Sequence, residues 1–332
     1  MVRWIRLIAF AVALLLVVTV AAVALAGVGP PSVTDLQRQA GLIDKQVLRV
    51  GVSGDIPRIS QRQPGGSYTG FDVDMAFLVA KTLGFEPRRV EFYEVTPENR
   101  SKMIGRRHGD TKYTRLDLVI AGYSITKTRI AEGVVFAGPY LHTEPTVLTR
   151  RDHDPVQSLP DLGRNHDRVC VPGTSTSAEL VARKSGAIAE ERQYNHECVD
   201  GLLAGHFDAV VTDAAILAGF AAARPGLLKL DNIPTDESEE EWWGVGIGQD
   251  RTGHDPRIQA LQKLVLLALY DALGGREWQE AFERNLGDLP DKLWLAPGRE
   301  PQIVAHDSQP EPLWTVRVRR WPWESGDTEQ VR

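Results

Sequence analysis

The sequence predicts an α/β protein made of two halves, with the second half inserted into the first. The chain has 332 residues, of which 42% are apolar and 25% charged, and this is enough ordinary globular material for two domains. Strand-like and helix-like patterns alternate along it, as in βαβ units. The strands are continuous β-branched runs, typical of a parallel sheet covered on both faces. Two such halves leave a cleft between them, which is the favoured place for a small ligand.

The first half contains three predicted strands and two predicted helices. The strands are 47–53, 90–95 and 116–122. An amphipathic helix within 70–85 has Asp72 near its N-cap and Gly84 just beyond its end. A short helix over 97–104 completes this half.

The second half repeats the alternation, and the chain then returns. We predict strands at 168–173, 191–195 and 207–213, separated by helices over 176–184 and 199–205. A change of composition at 236–248 precedes another strand and two late helices, 256–273 and 276–285. The tail 288–332 is Pro-rich and has no clear period, so we predict an irregular C-terminal extension with a short strand near 313–319.

The N-terminus carries a segment addressed to a membrane. Arg3 and Arg6 precede an apolar run over residues 7–28, and residues 24–26 have the small-x-small form of a signal-peptidase site. The run exceeds a usual signal-peptide core, so 1–28 is predicted to be a cleaved signal peptide or an N-terminal membrane anchor. Either outcome exports the rest of the chain. The formal charge of -6 shows no basic excess, so nucleic acid is not an expected partner.

Both cysteines, Cys170 and Cys198, lie in the exported part. In an oxidising compartment a lone pair favours a disulfide, and the alternative is two buried free thiols. The eight histidines show neither His-Glu-x-x-His nor His-x-His spacing, so we expect no metal site.

The stretch Ser124-Ile125-Thr126-Lys127 matches the Ser-x-x-Lys pattern of penicillin-interacting enzymes. The companion Ser-Asp-Asn and Lys-Thr-Gly triplets are absent, and so is a Gly-x-Ser-x-Gly elbow. The match is therefore interpreted as a coincidence of spacing, with Lys127 facing solvent and no catalytic residue assigned.

Other residues are suited to holding a ligand. Arg129 follows a strand end, where a guanidinium can take a carboxylate through two parallel hydrogen bonds, or it is a plain surface arginine. Thr174 and Ser175 precede a helix, and residues 176–179 form a capping-box pattern, so this is an anion site or ordinary capping. Asp213 ends a buried strand, where it either receives a ligand ammonium or caps the helix that follows.

Four blocks together resemble the polar-amino-acid solute-binding proteins of bacterial ABC importers, closest to glutamate/aspartate-type members of actinobacteria. They read YTGFDVDMAFLVAKTLGF, DLVIAGYSITKTRIAEGVVFAGPYL, VCVPGTSTSAEL and CVDGLLAGHFDAVVTD, and the resemblance covers about residues 45–287. It implies a type II periplasmic-binding-protein fold, two α/β lobes joined by a two-strand hinge. Lobe 1 would be 41–143 plus 237–287, and lobe 2 the inserted 144–236.

The resemblance also implies roles for individual residues. Arg129 clamps the ligand α-carboxylate, and the Ser124 hydroxyl adds to this clamp. Ser175 closes on the carboxylate from lobe 2. Asp213 receives the α-ammonium, to which the Gly122 carbonyl contributes. Related actinobacterial sequences carry a disulfide at the positions of the two cysteines.

Selectivity for the ligand side chain rests on Arg100, which matches an arginine that reaches the distal carboxylate in acidic-amino-acid binders. Ser53 stands where such binders often have a lysine, which puts strict glutamate or aspartate specificity in doubt, although Arg58 is a candidate to compensate. The resemblance thus implies an exported, non-enzymatic receptor for glutamate, aspartate or an amide relative, without a cofactor, that serves an ABC permease and ATPase. The alternatives are a membrane-anchored amino-acid sensor and a periplasmic dehydratase on the same fold.

Overall fold

The computed structural model describes residues 2–28, 30–231, 233, 240–289 and 317–318. It contains two five-stranded sheets, and we call the unit around the first sheet lobe 1 and the unit around the second lobe 2. The predicted tail 288–332, including the strand near 313–319, lies almost entirely outside the described residues. Helix α1 spans Val2–Val28, with side chains described at only some of its positions. Over the part of the chain that is described, no helix meets the length and hydropathy needed to cross a membrane.

Lobe 1 has a mixed sheet in the order β5-β1-β8-β15-β9, in which β1 pairs in parallel with β5 and β8, and β15 runs antiparallel to its neighbours. Its strands are β1 Leu48–Val52, β5 Val90–Glu94, β8 Leu118–Val119, β9 Val134–Thr143 and β15 Glu241–Gln249. Its helices are α2 Val33–Gln39, α3 Phe71–Thr82, α4 Pro97–Arg100, α5 Lys127–Ala131, α10 Pro256–Gly274 and α11 Glu277–Asn285, with a 3-10 turn at Pro87–Arg89. Two small sheets complete it, β2 Asp55–Ile56 with β3 Ser60–Arg62 and β4 Tyr68–Thr69, and β6 Ile104–Gly105 with β7 Thr114–Arg115.

Lobe 2 has the strand order β12-β11-β13-β10-β14, with β11 parallel to β12 and β13, and β10 antiparallel to β13 and β14. Its strands are β10 Pro145–Arg150, β11 Val169–Pro172, β12 Ala189–Arg192, β13 Ala209–Asp213 and β14 Leu228–Asp231. Its helices are α6 Leu159–Arg164, α7 Thr176–Lys184, α8 Asn195–Leu203 and α9 Ala214–Ala223. The chain enters lobe 2 between β9 and β10 and returns between β14 and β15.

Helix α10 shows why the long predicted helices are found. Its N-cap Asp255 accepts hydrogen bonds from the backbone N–H groups of Arg257 and Ile258, which satisfies donors that have no partner inside the helix. Pro256 occupies the first helical position, where its missing N–H costs nothing. The apolar positions recur with a helical period, and they are buried at Ala260, Leu264, Val265, Leu267, Ala268, Leu269, Ala272 and Leu273.

The prediction for 191–205 was wrong in detail. The strand β12 is earlier than predicted, and α8 begins at Asn195 rather than at residue 199. The reason is local, because the Glu197 carboxylate accepts the Tyr194 N–H at 3.0 Å and thereby fixes the first turn of the helix. The predicted helix over 97–104 is also shorter and ends at Arg100.

Cys170 and Cys198 form a disulfide, which confirms that alternative over free thiols. The bond joins β11 to α8, and both residues are fully buried. It therefore fixes the start of α8 against the sheet of lobe 2, next to the end of β12.

Candidate ligand-binding site

The cleft between the lobes lies at the carboxyl ends of strands from both sheets. Residues that follow β1, β5 and β8 line it from lobe 1, and residues that end or follow β11, β12 and β13 line it from lobe 2. This is where α/β sheets commonly hold their ligands. The cleft contains about 510 Å³ of space free of protein atoms, its open mouth included. Six of the predicted site residues line it: Arg100, Gly122, Ser124, Arg129, Ser175 and Asp213.

Arg129 contacts both lobes. It lies on α5, and its Nη1 donates to the Ser124 carbonyl at 2.6 Å. Its Nη2 donates to the carbonyl of Thr174 in lobe 2 at 3.5 Å, while its guanidinium stacks on the Tyr123 ring at 4.9 Å. The structure thus places Thr174 beside Arg129, although Thr174 lines an adjoining opening rather than the cleft itself. Lys127 is exposed, as predicted.

Gly122 is held in an unusual backbone conformation, with φ at +53°. Its N–H donates to the Asp72 carboxylate at 2.9 Å, and the same carboxylate accepts from the Tyr140 hydroxyl at 2.7 Å. Burial raises the pKa of Asp72 to about 7, and the two hydrogen bonds oppose that rise. A Cβ at this position would approach the Trp243 ring to 3.3 Å, so glycine suits both the backbone and the packing.

Arg100 is buried, with 8% of its surface exposed. Its Nη1 donates to the Gly122 carbonyl at 3.0 Å, and its guanidinium lies 4.9 Å from the centre of the Tyr123 ring. Burial, together with the positive charge of the nearby Arg129, lowers the pKa of Arg100 to about 10. The guanidinium groups of Arg100 and Arg129 therefore both contact the Tyr123 ring, which lies beside the cleft. Arg58, by contrast, pairs with Asp288 at 3.3 Å and does not line the cleft.

Ser175 is the N-cap of α7, one residue earlier than the capping-box pattern predicts. Its hydroxyl accepts the Ala178 N–H at 3.1 Å and donates to the Pro172 carbonyl at 2.6 Å. The first backbone N–H groups of the helix, at Thr176 and Ser177, have no acceptor within the helix and lie at its positive end. This end of α7 is therefore suited to an anion in the cleft.

Asp213 occupies the N-cap position of α9, but its side chain does not cap the helix. Its carboxylate makes no capping hydrogen bond to α9, and instead it accepts from the indole Nε1 of Trp243 in lobe 1 at 2.6 Å. The side chain is 4% exposed, and burial raises the pKa of Asp213 to about 8, with a further contribution from the charge of Glu241. Asp213 is thus the N-cap by position, capping by its carboxylate is wrong, and the buried carboxylate lines the cleft.

Glu241 is a polar residue of this site that sequence reasoning missed. It is buried at the start of β15, opposite Thr143 of β9, and its carboxylate is hydrogen-bonded by the hydroxyls of Ser124 in lobe 1 and Thr176 in lobe 2. Burial raises its pKa, and those hydrogen bonds oppose the rise. In the sequence Glu241 ends an acidic run, a pattern that usually indicates a solvent-exposed segment. Only its pairing with β9 indicates that this residue is buried.

Two further contacts join the lobes on the other side of the cleft. His196 of α8 meets the Asp55 carboxylate of β2 through its backbone N–H at 3.1 Å and its ring Nδ1 at 3.3 Å. The guanidinium of Arg106 donates to the Tyr194 hydroxyl at 3.1 Å. The segment that precedes and opens α8 is thus held by lobe 1 as well as by the disulfide beneath it.

Comparisons with known proteins agree with this architecture. Residues 48–289 match the family model of bacterial extracellular solute-binding proteins, family 3. The glutamate-binding protein GluB of Corynebacterium efficiens is 30% identical over 276 residues, which cover 80% of this chain and 89% of that protein. The glutamine-binding protein GlnH of Bacillus subtilis is 26% identical over 236 residues, or 70% of this chain and 82% of that one.

A solved structure extends the comparison to three dimensions. An ancestral arginine-binding protein bound to glutamine is 25% identical and aligns with a TM-score of 0.60, covering 73% of this chain and 99% of that one. The match agrees with the two α/β lobes and confirms the predicted type II periplasmic-binding-protein fold. The chain belongs to the bacterial extracellular solute-binding proteins, family 3.

Proposed function

We propose that this protein binds a polar amino acid outside the cytoplasm, of the glutamate, aspartate or amide type, and delivers it to an ABC importer. The observation that carries the proposal is the placement of Arg129 and Asp213 on opposite lobes of one cleft. The cation suits an α-carboxylate and the anion suits an α-ammonium, so a zwitterionic ligand would be gripped by both lobes at once.

The α-carboxylate has donors on both sides. The Arg129 guanidinium is on lobe 1, and the N-terminus of α7 is on lobe 2. The hydroxyls of Ser124 and Ser175 lie beside them, and each would turn from its present acceptor, Glu241 or the Pro172 carbonyl, to donate to the ligand. The Asp213 carboxylate and the Gly122 carbonyl would receive the ammonium. Arg100, the remaining buried cation, is left for the distal group of the ligand side chain. Because these contacts come from two lobes, ligand binding favours the closed arrangement.

We propose that the protein is a receptor rather than an enzyme. Asp213 is a buried carboxylate that lines the cleft and is engaged by Trp243. Glu241 is a second buried carboxylate beside the cleft, and it is engaged by Ser124 and Thr176. A dehydratase would need one of them to exchange protons with substrate. Recovery of an unchanged amino acid after prolonged incubation supports the receptor, whereas conversion of a prephenate-type substrate would support the enzyme.

Residues 1–28 are proposed to direct export, either as a cleaved signal peptide or as an anchor. An uncleaved segment would favour the alternative of a membrane-anchored sensor that reports ligand occupancy to a partner. N-terminal sequencing of the mature protein separates the two outcomes.

The proposed function is tested by isothermal titration of the purified protein with the twenty amino acids. We expect binding of one or a few polar amino acids and its loss in Arg129→Ala. Arg38→Ala is the matched control, because Arg38 is an exposed arginine on α2 that pairs with Asp35. The proposal fails if no amino acid binds, or if Arg129→Ala binds as well as the control.

A further inference from the structure

Two buried polar atoms of the cleft have no hydrogen-bond partner among the described residues. One is the donor Nε of Arg100, and the other is the acceptor Oδ1 of Asn195. Both residues line the same cleft, Arg100 from lobe 1 and Asn195 from lobe 2. Buried polar atoms are nearly always paired, because a donor or acceptor that is removed from water without a partner is unfavourable. A donor and an acceptor left unpaired in one cleft indicate a ligand group that offers both an acceptor and a donor.

The position of Asn195 is fixed from several directions. It is the first residue of α8, and the preceding Tyr194 is held by Glu197 in the first turn. The following His196 is bound to lobe 1 through Asp55. Cys198, one turn later, is tied to β11 by the disulfide. Little conformational entropy would therefore be lost when Asn195 contacts a ligand.

The charges of the cleft argue for a distal group that is neutral. Once Arg129 holds the α-carboxylate and Asp213 the α-ammonium, the charged groups that remain in or beside the cleft are one cation, Arg100, and two carboxylates, Glu241 and Asp55, of which Asp55 pairs with His196. Ser53 lines the cleft without adding a charge. A second ligand carboxylate would thus leave the buried site with an excess negative charge, which is unfavourable at low dielectric.

This inference rests on the proposed function and narrows it. We propose that Asn195 is a specificity-determining residue and that the ligand carries a distal carboxamide, as in glutamine or asparagine. The amide carbonyl accepts from Arg100 Nε, and the amide NH₂ donates to Asn195 Oδ1. A carboxylate satisfies Arg100 but offers no hydrogen to Asn195, so the site selects the amide over the acid.

The test compares glutamine and glutamate as titrants for the full chain and for two variants. The wild type should bind glutamine at least about tenfold more tightly than glutamate. Asn195→Asp keeps the acceptor oxygen, so glutamine affinity should stay within about threefold while glutamate weakens by about tenfold or more. Asn195→Leu removes the acceptor, and glutamine should weaken by about tenfold or more. Asn165→Asp, at the exposed end of α6, is the control and should change neither affinity.

The outcomes distinguish this inference from the proposed function. If glutamate binds more tightly than glutamine, or if only another amino acid binds, the inference is overturned. The proposed function as an amino-acid receptor stands in both cases. If Asn195→Asp loses glutamine binding but retains glutamate binding, Asn195 must donate a hydrogen bond rather than accept one. That outcome also overturns the inference. If no amino acid binds at all, both proposals fail. A melting temperature within a few degrees of the wild type shows that Asn195→Leu is folded.

Discussion

Replacing Asp213 by asparagine should allow the two lobes to close without a ligand. In the closed arrangement the carboxylate is 4% exposed, and burial and the charge of Glu241 raise its pKa from 3.8 to about 8. When the lobes part, this carboxylate meets water and its pKa returns toward the ordinary value. Closure at neutral pH therefore requires either a compensating cation, such as a ligand ammonium, or a proton.

The size of this barrier follows from the two pKa values. Protonating a carboxylate of pKa 3.8 at pH 7 costs about 4 kcal/mol, since each pH unit corresponds to about 1.4 kcal/mol. That free energy changes the ratio of closed to open forms by about a thousandfold. Asparagine keeps an oxygen for the Trp243 indole but carries no charge, so the variant avoids most of this cost. Because the closed form has the higher pKa, wild-type closure without ligand should increase as the pH falls below about 8 toward 4.

The assay is the distance between fluorescent labels on the two lobes, measured without ligand from pH 5 to 9. The wild type should be open at pH 7 and close progressively in acid, whereas Asp213→Asn should be largely closed at every pH and should bind amino acids weakly. Asp208→Asn is the control, because Asp208 pairs with Arg168 of its own lobe. A variant that stays as open as the wild type over the whole range would refute the reasoning.

Three further substitutions probe other parts of the same arrangement. Replacing Cys170 and Cys198 by alanine should lower the free energy of unfolding, measured in urea, by about 3–4 kcal/mol, because the disulfide closes a loop over a separation of 28 residues. Amino-acid affinity should stay the same, and unchanged stability would contradict the prediction. Gly219→Ala puts a Cβ 2.1 Å from the Pro57 carbonyl oxygen in the loop after β2, so the closed lobes would clash and amino-acid affinity should fall although no ligand contact is changed. Full affinity would mean that the lobes do not meet at this position. The hydrogen bond to Asp55 raises the pKa of His196 above the ordinary value of 6.5. The contact between His196 and Asp55 therefore stabilises closure fully below pH 6.5, and this stabilisation is lost as the pH rises through the raised pKa of His196. Since His196 is half exposed, His196→Gln should reduce low-pH affinity by only about fivefold or less, and an unaltered pH profile would exclude this role.

The elements that the sequence predicts well are those with local causes. Helix α3 and helix α10 follow from apolar residues at helical spacing, and β1 and β13 from continuous apolar runs. The strands β2, β3, β4, β6 and β7 have only two or three residues each, which is too few for a period, and pairing with other segments decides them.

The candidate site divides in the same way. Ser124, Arg129 and Ser175 belong to recognisable blocks, and their neighbours along the chain fix their positions. Glu241 and Asn195 depend on long-range geometry instead. Glu241 becomes buried only because β15 pairs with β9, and Asn195 enters the cleft only because α8 begins where Glu197 caps it. A single sequence contains neither the register of that pairing nor the position of the helix relative to the opposite lobe.

The geometry around Ser124 also explains why its Ser-x-x-Lys pattern does not produce a nucleophile. Lys127 is exposed, while the Ser124 hydroxyl donates to a carboxylate, Glu241, that also accepts from Thr176 of lobe 2. The carbonyl of Ser124 in turn accepts from Arg129, five residues along the chain. An acylation site needs a base that removes the hydroxyl proton and a route for the product to leave. Here the Ser124 hydroxyl donates to the Glu241 carboxylate of its own lobe, and this carboxylate joins the two lobes because it also accepts from Thr176. Ser124 therefore supports a contact that must break and re-form as the cleft opens and closes, as reversible binding requires.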